Sequence, residues 1–501
     1  MAGRRVPQSH LLAVLSLTSD HLMGQHPEWG LRSSLLALAV ADRAGVTERA
    51  DVRDATLLRF VGCTSDAPAL AELFSDDIVF RQVAGTADLG RPQDALPFLL
   101  RSAGQGEPFA ARAAAVLKVL ATGKAFTEAN FRMSCEVADQ LTGRLGLPAS
   151  TRAALVHSFE RWDGKGFPQG LKGEQSALPA RLALLATDAV GLAHDLGREG
   201  AREALVRRAG TAHDPELSKV LLADFDGVLD EVEAGSAWDR VTEEPGLTYR
   251  GEELDEVLTV VADFTDLKSP YLTGHSRGVA ELAAGAGEQL GLDGTLLRHA
   301  GLVHDLGRST VSSAIWDRPG PLTEVQWEEV RLHAYRTERL LARSEHLAEL
   351  GAIGGCHHER LTGDGYHRGS TGLTPEAKVL AAADVYQALV SPRPHRAARS
   401  AQDAAAELRR TPGLDGDAVD AVLTAAGHLV RRKKKELPGG LSAREVEVLQ
   451  ALARGLTNKQ IAQELVISPK TAGHHVQHVY DKIGLSTRGG ATLWAVQQGL
   501  V

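Results

Sequence analysis

The sequence predicts an all-α protein, and three observations support that fold class. Alanine and leucine, which favour helices, are abundant along the chain. Apolar residues recur at helical spacing, as in Val279, Leu282, Ala283, Ala286 and Leu290. Alternating runs of β-branched residues, which would indicate strands, are few. At 501 residues the chain is long enough for two to four domains, each with its own core.

Composition places the chain among globular proteins of a reducing compartment. Apolar residues make up 43% and charged residues 24%, which is ordinary for a soluble domain. Cys63, Cys135 and Cys356 are too few and too scattered for a disulfide framework. No run of about 18 apolar residues without charges occurs, and "MAGRRVPQSH" lacks the apolar stretch of a signal peptide. We therefore expect a cytoplasmic protein without a membrane segment.

Four regions follow one another along the chain. Residues 1–249 and 250–430 are predicted to be two helical domains, 431–440 a basic linker, and 441–501 a small third domain. The net charge of −9 is divided unevenly, because the 71 residues from Arg431 to Val501 hold eleven Lys and Arg against five Asp and Glu. The tail is therefore +6 and the remainder −15. Such an asymmetry is expected when only the tail binds a polyanion.

The first two regions look like repeats of each other. "LLRFVGCTSDAP" precedes "SFERWDGKGFP" in the first, and "LLRHAGLVHDLG" precedes "HHERLTGDGYH" in the second. Aligning the two Leu-Leu-Arg runs places Ser65 and Asp66 opposite a His-Asp pair. Aligning the later Glu-Arg pairs places Ser158 and Phe159 opposite a His-His pair. The shared order favours a duplication whose first copy lost most of its ligand residues. The alternative is a chance match between Ala/Leu-rich helices.

Local signals define two helices of the second region. "TLLRHAGLVHDLG" is typical of a helix that ends at Gly307, a residue suited to a left-handed cap. After Pro321, Thr323 is the expected N-cap of the next helix, which contains Glu324 and Trp327.

Histidine and aspartate are concentrated at a few places in the second region. His304-Asp305 and His357-His358 are adjacent pairs, and His333 lies on a predicted helix between them. Imidazoles with a carboxylate that can bridge two cations are the ligands of dinuclear phosphohydrolases. A single histidine on an apolar helix is more often a core residue, and a bound metal can also serve as a sensor or a structural staple.

These residues resemble the HD superfamily of metal-dependent phosphohydrolases, and within it the HD-GYP branch, over about residues 255–400. The resemblance rests on "GHSRGVA", "GLVHDLG", "HHER", "GDGY", "VLAAADVYQAL" and "SPRPHR". It implies two divalent cations, iron or manganese, and a cyclic nucleotide or other phosphodiester substrate such as cyclic di-GMP. The metal ligands it implies are His275, His304, Asp305, His333, His357, His358 and Asp384.

The resemblance also implies roles for two side chains and shows two departures. Asp305 would bridge the cations and Arg308 would hold phosphate. The branch normally has lysine at Arg308, and arginine offers a planar fork instead of a point charge. The Gly-Tyr-Pro motif of the branch is Gly365-Tyr366-His367 in this chain. The first region keeps the closer Gly-Phe-Pro but lacks paired histidines, which is typical of a degenerate copy.

Local signals in the tail predict three short helices. Ser442 with Glu445 forms a capping box for the first, and Thr457 caps the second. Ser468 caps the third, which has Pro469 in its first turn. On the third helix one face is apolar and the other is polar, so the polar face is either solvated or enters a DNA groove.

The tail resembles the LuxR-type helix-turn-helix over its full length, through "LSAREVEVL", "GLTNKQIAQEL" and "ISPKTAGHHVQHVYDKIGLSTR". The resemblance implies a four-helix DNA-binding domain that dimerises through helix four, about Thr487 to Gln498. The residues it places on DNA are Thr457, Asn458, Lys459, Lys470, Thr471, His474, His475, Gln477 and His478.

Together these patterns predict tandem HD-like domains joined to a LuxR-type domain in a homodimeric transcription regulator. The second HD-like domain would hydrolyse or sense a phosphodiester signal, and the tail would bind promoter DNA. The alternative is a regulator without enzymatic activity, whose HD-like repeats only bind a ligand or a partner.

Overall fold

The computed structural model is helical throughout, which confirms the predicted fold class. It describes residues 4–85, 109–244, 246–427 and 438–501, together with residues 88, 91, 97, 98 and 102. Most of the predicted basic linker lies outside these residues. The described chain forms two compact units, one of residues 5–250 and one of Arg4 with residues 251–501.

The first unit consists of eleven described helices. Their bounds are α1 Gln8–Leu22, α2 Trp29–Arg43, α3 Arg49–Leu57, α4 Ala67–Phe74, α5 Asp77–Ala84, α6 Phe109–Arg144, α7 Ala149–Val156, α8 Leu178–Arg208, α9 Pro215–Ala223, α10 Phe225–Glu233 and α11 Ala237–Thr242. Single 3-10 turns cover Val61–Thr64 and Gly173–Gln175. Leu11, Leu36, Leu141 and Leu205 lie in its buried core.

A two-stranded antiparallel ribbon joins the ends of this unit. Strand β1, Arg5–Pro7, pairs with β2, Thr248–Arg250, and Val6 lies opposite Tyr249. The buried Tyr249 hydroxyl donates to the Leu145 carbonyl at 2.6 Å, which fixes the ribbon against the helices. Three-residue strands are too short to show alternation, so the sequence did not predict them.

The second unit contains nine helices before its C-terminal part. Their bounds are α12 Gly251–Asp266, α13 His275–Gln289, α14 Gly294–Val303, α15 Ser313–Trp316, α16 Glu324–Leu341, α17 Ala348–Gly354, α18 Pro375–Val390, α19 Ala401–Arg410 and α20 Gly416–Ala426. A 3-10 turn covers Leu306–Thr310.

The prediction that α14 ends at Gly307 is wrong, because the helix ends at Val303 and the chain continues into the 3-10 turn. Gly307 serves close packing instead of capping. A Cβ atom on it would lie 2.0 Å from the His333 carbonyl oxygen of α16. The turn therefore lies directly against α16, and His304 and Asp305 stand at the junction between helix and turn.

Capping side chains set the starts of the two helices that bring further polar residues to this junction. Thr323 caps α16 as predicted, and its partner in the capping box is Gln326. Thr374 caps α18 by accepting the N–H of Ala377 at 3.2 Å. His333 lies in the middle of α16 and Asp384 in the middle of α18, so helix placement positions both side chains.

The last 64 residues form a small helical bundle. Its helices are α21 Ala443–Ala453, α22 Asn458–Glu464, α23 Pro469–Ile483 and α24 Arg488–Gln497, after a short 3-10 turn at Pro438–Gly440. Ser442, Thr457 and Ser468 cap the first three helices as predicted. The core includes Leu449, Leu452, Ile461, Ala472, Val476 and Val479. Over the part of the chain that the structure describes, no helix is both long and apolar enough to span a membrane.

Candidate metal centre

The second unit brings all seven predicted ligand residues together as two groups of side chains. In each group the candidate ligand atoms all lie within 4.8 Å of one another. The groups are His275, His304, Asp305 and Asp384, which we call the first group, and His333, His357 and His358, which we call the second group. Six of the seven side chains are buried, and His358 is half-buried.

Asp305 lies between the two groups with one oxygen facing each. Its Oδ2 is 3.0 Å from His304 Nε2 and 3.5 Å from His275 Nε2. Its Oδ1 is 3.4 Å from His333 Nε2 and 3.3 Å from His357 Nε2. This is the arrangement of a carboxylate that can bridge two cations.

Asp384 serves the first group from α18. Its Oδ1 is 3.0 Å from His275 Nε2 and 3.8 Å from His304 Nε2. Its other oxygen lies 4.0 Å from His358 Nδ1 of the second group. A carboxylate inside an apolar helix is costly unless it is paired or coordinated, and here several imidazoles surround it.

Backbone carbonyls orient three of the imidazoles. The Nδ1 atoms of His304, His333 and His357 lie 2.7, 2.5 and 2.6 Å from the carbonyl oxygen three residues earlier in the chain. An Nδ1–H that donates to such a carbonyl leaves Nε2 unprotonated and able to bind a metal. The three Nε2 atoms all face Asp305.

Several buried polar atoms in the centre have no hydrogen-bond partner. They include both carboxylate oxygens of Asp305 and Nε2 of His304, whose short approach lacks hydrogen-bond geometry. Buried polar atoms without partners are rare and destabilising. Divalent cations between the two groups would satisfy all three atoms, so the residues present fit a metal centre.

Protonation of the centre follows from burial and from its carboxylates. Burial lowers the pKa of His275 and His333 to about 4, so both imidazoles are neutral at neutral pH. Burial acts in the same direction on His304, but Asp305 and Asp384 outweigh it and raise the His304 pKa to about 10. Burial raises the pKa of the Asp305 carboxyl, yet Arg308 and His304 hold it well below its usual range. A metal would therefore displace a proton from His304.

Two arginines bring positive charge to the carboxylates. Arg308 Nε is 2.9 Å from Asp305 Oδ2, and its guanidinium lies 5.2 Å from the Trp316 ring centre. The half-buried Arg393 donates to the Tyr271 carbonyl at 3.2 Å. Burial first, and then Arg308, lower the Arg393 pKa to about 10, which still leaves it charged. Arg393 belongs to the "SPRPHR" motif, but the sequence analysis gave it no role.

Glu359 anchors the loop that carries the Gly-Tyr-His motif. The carboxylate is fully buried and accepts the backbone N–H groups of Arg368 at 2.6 Å and Ser370 at 2.8 Å. The loop places the Tyr366 ring 4.5 Å from the His358 ring, measured between ring centres. His367, which replaces the usual proline, lies 3.4 Å from Glu338. The sequence alone gave no role to Glu359 beyond its place in the motif.

The predicted DNA-facing residues lie on the surface of the C-terminal bundle. Eight of the nine are exposed and His475 is half-buried. Thr457 is engaged as the cap of α22, since its hydroxyl accepts the backbone N–H of Gln460 at 3.4 Å. Gln477 donates to Asp481 at 2.8 Å, on the polar face of α23. The face is open and polar, as the sequence predicted.

Comparison with known proteins agrees with this geometry. Residues 259–417 match the HD domain family. The chain is 30% identical over 414 residues to 3′3′-cGAMP-specific phosphodiesterase 3 of Vibrio cholerae, covering 79% of this chain and 89% of that protein. The chain belongs to the HD-GYP phosphodiesterase family. The structure of this HD-GYP family member superposes on a crystal structure of a cyclic GMP-AMP-specific phosphodiesterase from V. cholerae with a TM-score of 0.59 and 25% sequence identity. The match covers 85% of this chain and 99% of that chain.

The C-terminal bundle has relatives of its own. Residues 440–495 match the luxR family of bacterial regulatory proteins. A 72-residue stretch is 40% identical to the probable transcriptional regulatory protein NarL of Mycobacterium tuberculosis, covering 14% of this chain and 33% of that protein. This member of the HD-GYP family thus carries a LuxR-type helix-turn-helix, as the sequence analysis predicted.

Proposed function

We propose that this protein hydrolyses a cyclic dinucleotide at the centre in its second unit. The observation that carries the proposal is Asp305, whose two oxygens face two separate groups of imidazoles. When bound, two divalent cations would supply Lewis-acid activation of the phosphate and of water. The seven side chains named above would hold them.

The chain's own residues would bind and orient the substrate. Arg308 and Arg393 place two charged guanidinium groups beside the carboxylates, where phosphate oxygens would be received. Burial raises the pKa of the Tyr366 hydroxyl above its ordinary value, so it stays protonated and can donate a hydrogen bond. Water would be restricted because most of the surrounding side chains are buried.

Similarity favours 3′3′-cGAMP as the substrate. The relative that covers 79% of the chain is named for this cyclic dinucleotide. Cyclic di-GMP, which the family resemblance implied, is the second substrate to test because it has the same phosphodiester chemistry.

Turnover of the two cyclic dinucleotides by manganese- or iron-loaded protein tests this proposal. We expect hydrolysis by the wild type and a loss on the order of 100-fold or more in Asp305→Asn, since a ligand should matter at least as much as groups that only orient ligands. Asp420→Asn, an exposed aspartate of α20, is the matched control and should retain full activity. Metal-loaded protein that hydrolyses neither dinucleotide would instead favour the alternative of a regulator that only binds a ligand.

The exposed polar face of α23 supports a second activity, the binding of promoter DNA by a homodimer. Lys470 and Thr471 lie exposed in the first turn of this helix, where short polar residues can enter a major groove. Helix α24 is the proposed dimer contact. Phosphate contacts would supply most of the affinity, and the groove residues the sequence preference.

Fluorescence anisotropy with labelled duplex DNA tests this second activity. Lys470→Ala should weaken binding and reduce its salt dependence, because one cation that meets the polyanion is lost. Lys378→Ala is the control, since this lysine belongs to α18 and not to the C-terminal bundle, and it pairs with Asp415 at 3.1 Å. Equal weakening in both variants, or no DNA binding by the wild type, would contradict the assignment.

A further inference from the structure

The first unit reproduces the framework of the metal centre with different side chains. Helix α2 begins at Trp29, and the N–H of its second residue, Gly30, donates to Asp20 at 2.9 Å. Helix α13 begins at His275, and its second residue donates in the same way to Asp266 at 2.9 Å. Trp29 in the first unit therefore occupies the position that the candidate metal ligand His275 occupies in the second unit.

A closely packed glycine marks the next equivalent position. A Cβ on Gly62 would lie 1.9 Å from the carbonyl oxygen of Ser134 on α6. A Cβ on Gly307 would lie 2.0 Å from the carbonyl oxygen of His333 on α16. Each glycine lets a 3-10 turn lie against a helix, so Ser134 occupies the position of His333.

This packing changes the register that the sequence alignment gave. Counting back three and two residues from Gly62 gives Arg59 and Phe60 as the equivalents of the His-Asp pair. The aligned Leu-Leu-Arg runs had instead placed Ser65 and Asp66 there, six residues further along. The structural register puts a fixed cation, the Arg59 guanidinium, at the position of a metal ligand.

The remaining positions follow from an anchored loop and from helix α8. Glu160 accepts N–H groups from residues nine and eleven positions later, at 2.7 and 2.9 Å, as Glu359 does. The two residues before it, Ser158 and Phe159, therefore stand at the positions of the paired histidines. Asp188 of α8 occupies the position of Asp384, and it is the one position of the seven at which both units have the same residue.

Arg59 is buried at the position in the first unit that corresponds to the metal centre, and two of its N–H donor groups have no acceptor. Its side chain is 6% exposed, and its Nε and Nη1 have no hydrogen-bond partner. The guanidinium carbon lies 5.3 Å from the Phe60 ring centre and 5.7 Å from that of Phe159. Aromatic faces attract a cation weakly, but they accept no conventional hydrogen bond from it.

No carboxylate of the described residues offers Arg59 an ion pair within 4.0 Å. Asp188 attracts it from farther away and is already engaged by Arg208 at 2.5 Å and His213 at 2.8 Å. Burial lowers the Arg59 pKa to about 10, which leaves the group charged at neutral pH. A buried charge without a partner destabilises a fold.

We propose that the first unit binds a phosphate group, free or carried on a nucleotide, through the guanidinium of Arg59. Phosphate oxygens would accept the unused N–H groups and neutralise the buried charge. The Ser134 hydroxyl, at the position of a lost histidine, would be a further contact. The first unit would then bind a phosphate group at the position where the second unit is proposed to hydrolyse a phosphodiester. This binding does not depend on turnover in the second unit.

Isothermal titration of the full chain with inorganic phosphate and with AMP tests the site. The parent for the titrations carries Arg308→Met and Arg393→Met and is kept free of metal, so that binding at the second centre contributes little. We expect one saturable site per chain, with affinity at least tenfold weaker after Arg59→Met. Arg152→Met is the matched control, since this partly exposed arginine pairs with Asp139 at 2.8 Å, and it should bind like the parent.

The probes separate the two sources of the phosphate group, because a nucleotide site should bind AMP more tightly than inorganic phosphate. Equal affinities for the two would indicate a site for phosphate alone, which still supports the proposal. No saturable binding of either probe, or unchanged affinity in Arg59→Met, would overturn it. Should Arg59→Met fail to fold, Arg59→Gln keeps a polar side chain with N–H donors but loses the charge. Unchanged phosphate affinity in that variant would equally overturn the proposal.

Discussion

A single carboxylate, Asp305, organises the candidate centre at the scale of residues. It is buried at the junction of α14 and a 3-10 turn, and His304, His333 and His357 all direct Nε2 toward it. Three backbone carbonyls fix those imidazoles, so the side chains are oriented before any cation binds. Such preorganisation favours metal binding because little conformational entropy is lost.

Asp20 in the first unit gives a residue-scale prediction about pH. Burial raises its pKa from 3.8 to about 8, although backbone N–H groups such as that of Gly30 lower it. The folded state therefore binds more protons than the unfolded state between about pH 4 and 8. The free energy of unfolding should fall as the pH rises through that window, by on the order of 1 kcal/mol per pH unit at most.

Thermal unfolding of Asp20→Asn from pH 5 to 8 measures this effect. Relative to the wild type, the variant should gain stability as the pH rises, because asparagine carries no charge to bury. Asp42→Asn, an exposed aspartate of α2, serves as the control and should follow the wild type. Parallel pH profiles for Asp20→Asn and the wild type would contradict the assigned pKa.

At the scale of elements, one anchored loop occurs in each unit and allows a paired test. Glu359 holds the loop that brings Tyr366 to the centre, and Glu160 holds the corresponding loop of the first unit. Replacing either carboxylate by the amide leaves one backbone N–H facing an NH₂ group. Each variant should lose about 1–3 kcal/mol of stability.

Only the loop of the second unit should affect catalysis. Glu359→Gln should lower kcat/KM for 3′3′-cGAMP by about tenfold, in the range found for groups that orient metal sites. Glu160→Gln should leave kcat/KM unchanged while losing comparable stability. Unfolding curves and steady-state kinetics on the same samples measure both quantities. Equal losses of activity in the two variants would show that the loop has no specific role.

Elements with local signals were predictable from the sequence, and elements that depend on distant contacts were not. The caps at Thr323, Ser442, Thr457 and Ser468 need only a hydroxyl and a nearby N–H, so residue type reveals them. Gly307 suggested a helix cap, but its role depends on the approach of α16.

The candidate site shows the same division. The seven candidate ligand residues were identified from motifs, and the structure brings them together. The roles of Glu359 and Arg393 depend on which groups surround them after folding, so the sequence did not reveal them. Arg59 was missed because the alignment of the Leu-Leu-Arg runs differs by six residues from the alignment that the close packing at Gly62 indicates. That packing is visible only in the folded chain.

At the scale of the whole molecule, charge separates the C-terminal tail from the remainder. The 71 residues from Arg431 carry +6 and the preceding 430 carry −15. Anionic surface could compete with DNA phosphates for the tail. Removing residues 1–430 should therefore tighten non-specific DNA binding several-fold at low salt.

Anisotropy titrations of the full chain and of the shortened chain measure this competition. The difference should shrink at about 0.5 M salt, where charges are screened within a few ångströms. Identical affinities at low salt would reject an electrostatic influence of the larger part of the chain on the tail.

Anomalous X-ray scattering from crystals of the full chain loaded with manganese or iron tests the proposed metal centre most directly. Two peaks are expected, one beside each group of imidazoles, and each about 2.0–2.5 Å from a different oxygen of Asp305. Peaks that lie elsewhere, or a single ion without contact to Asp305, would contradict the proposal that this carboxylate bridges two cations.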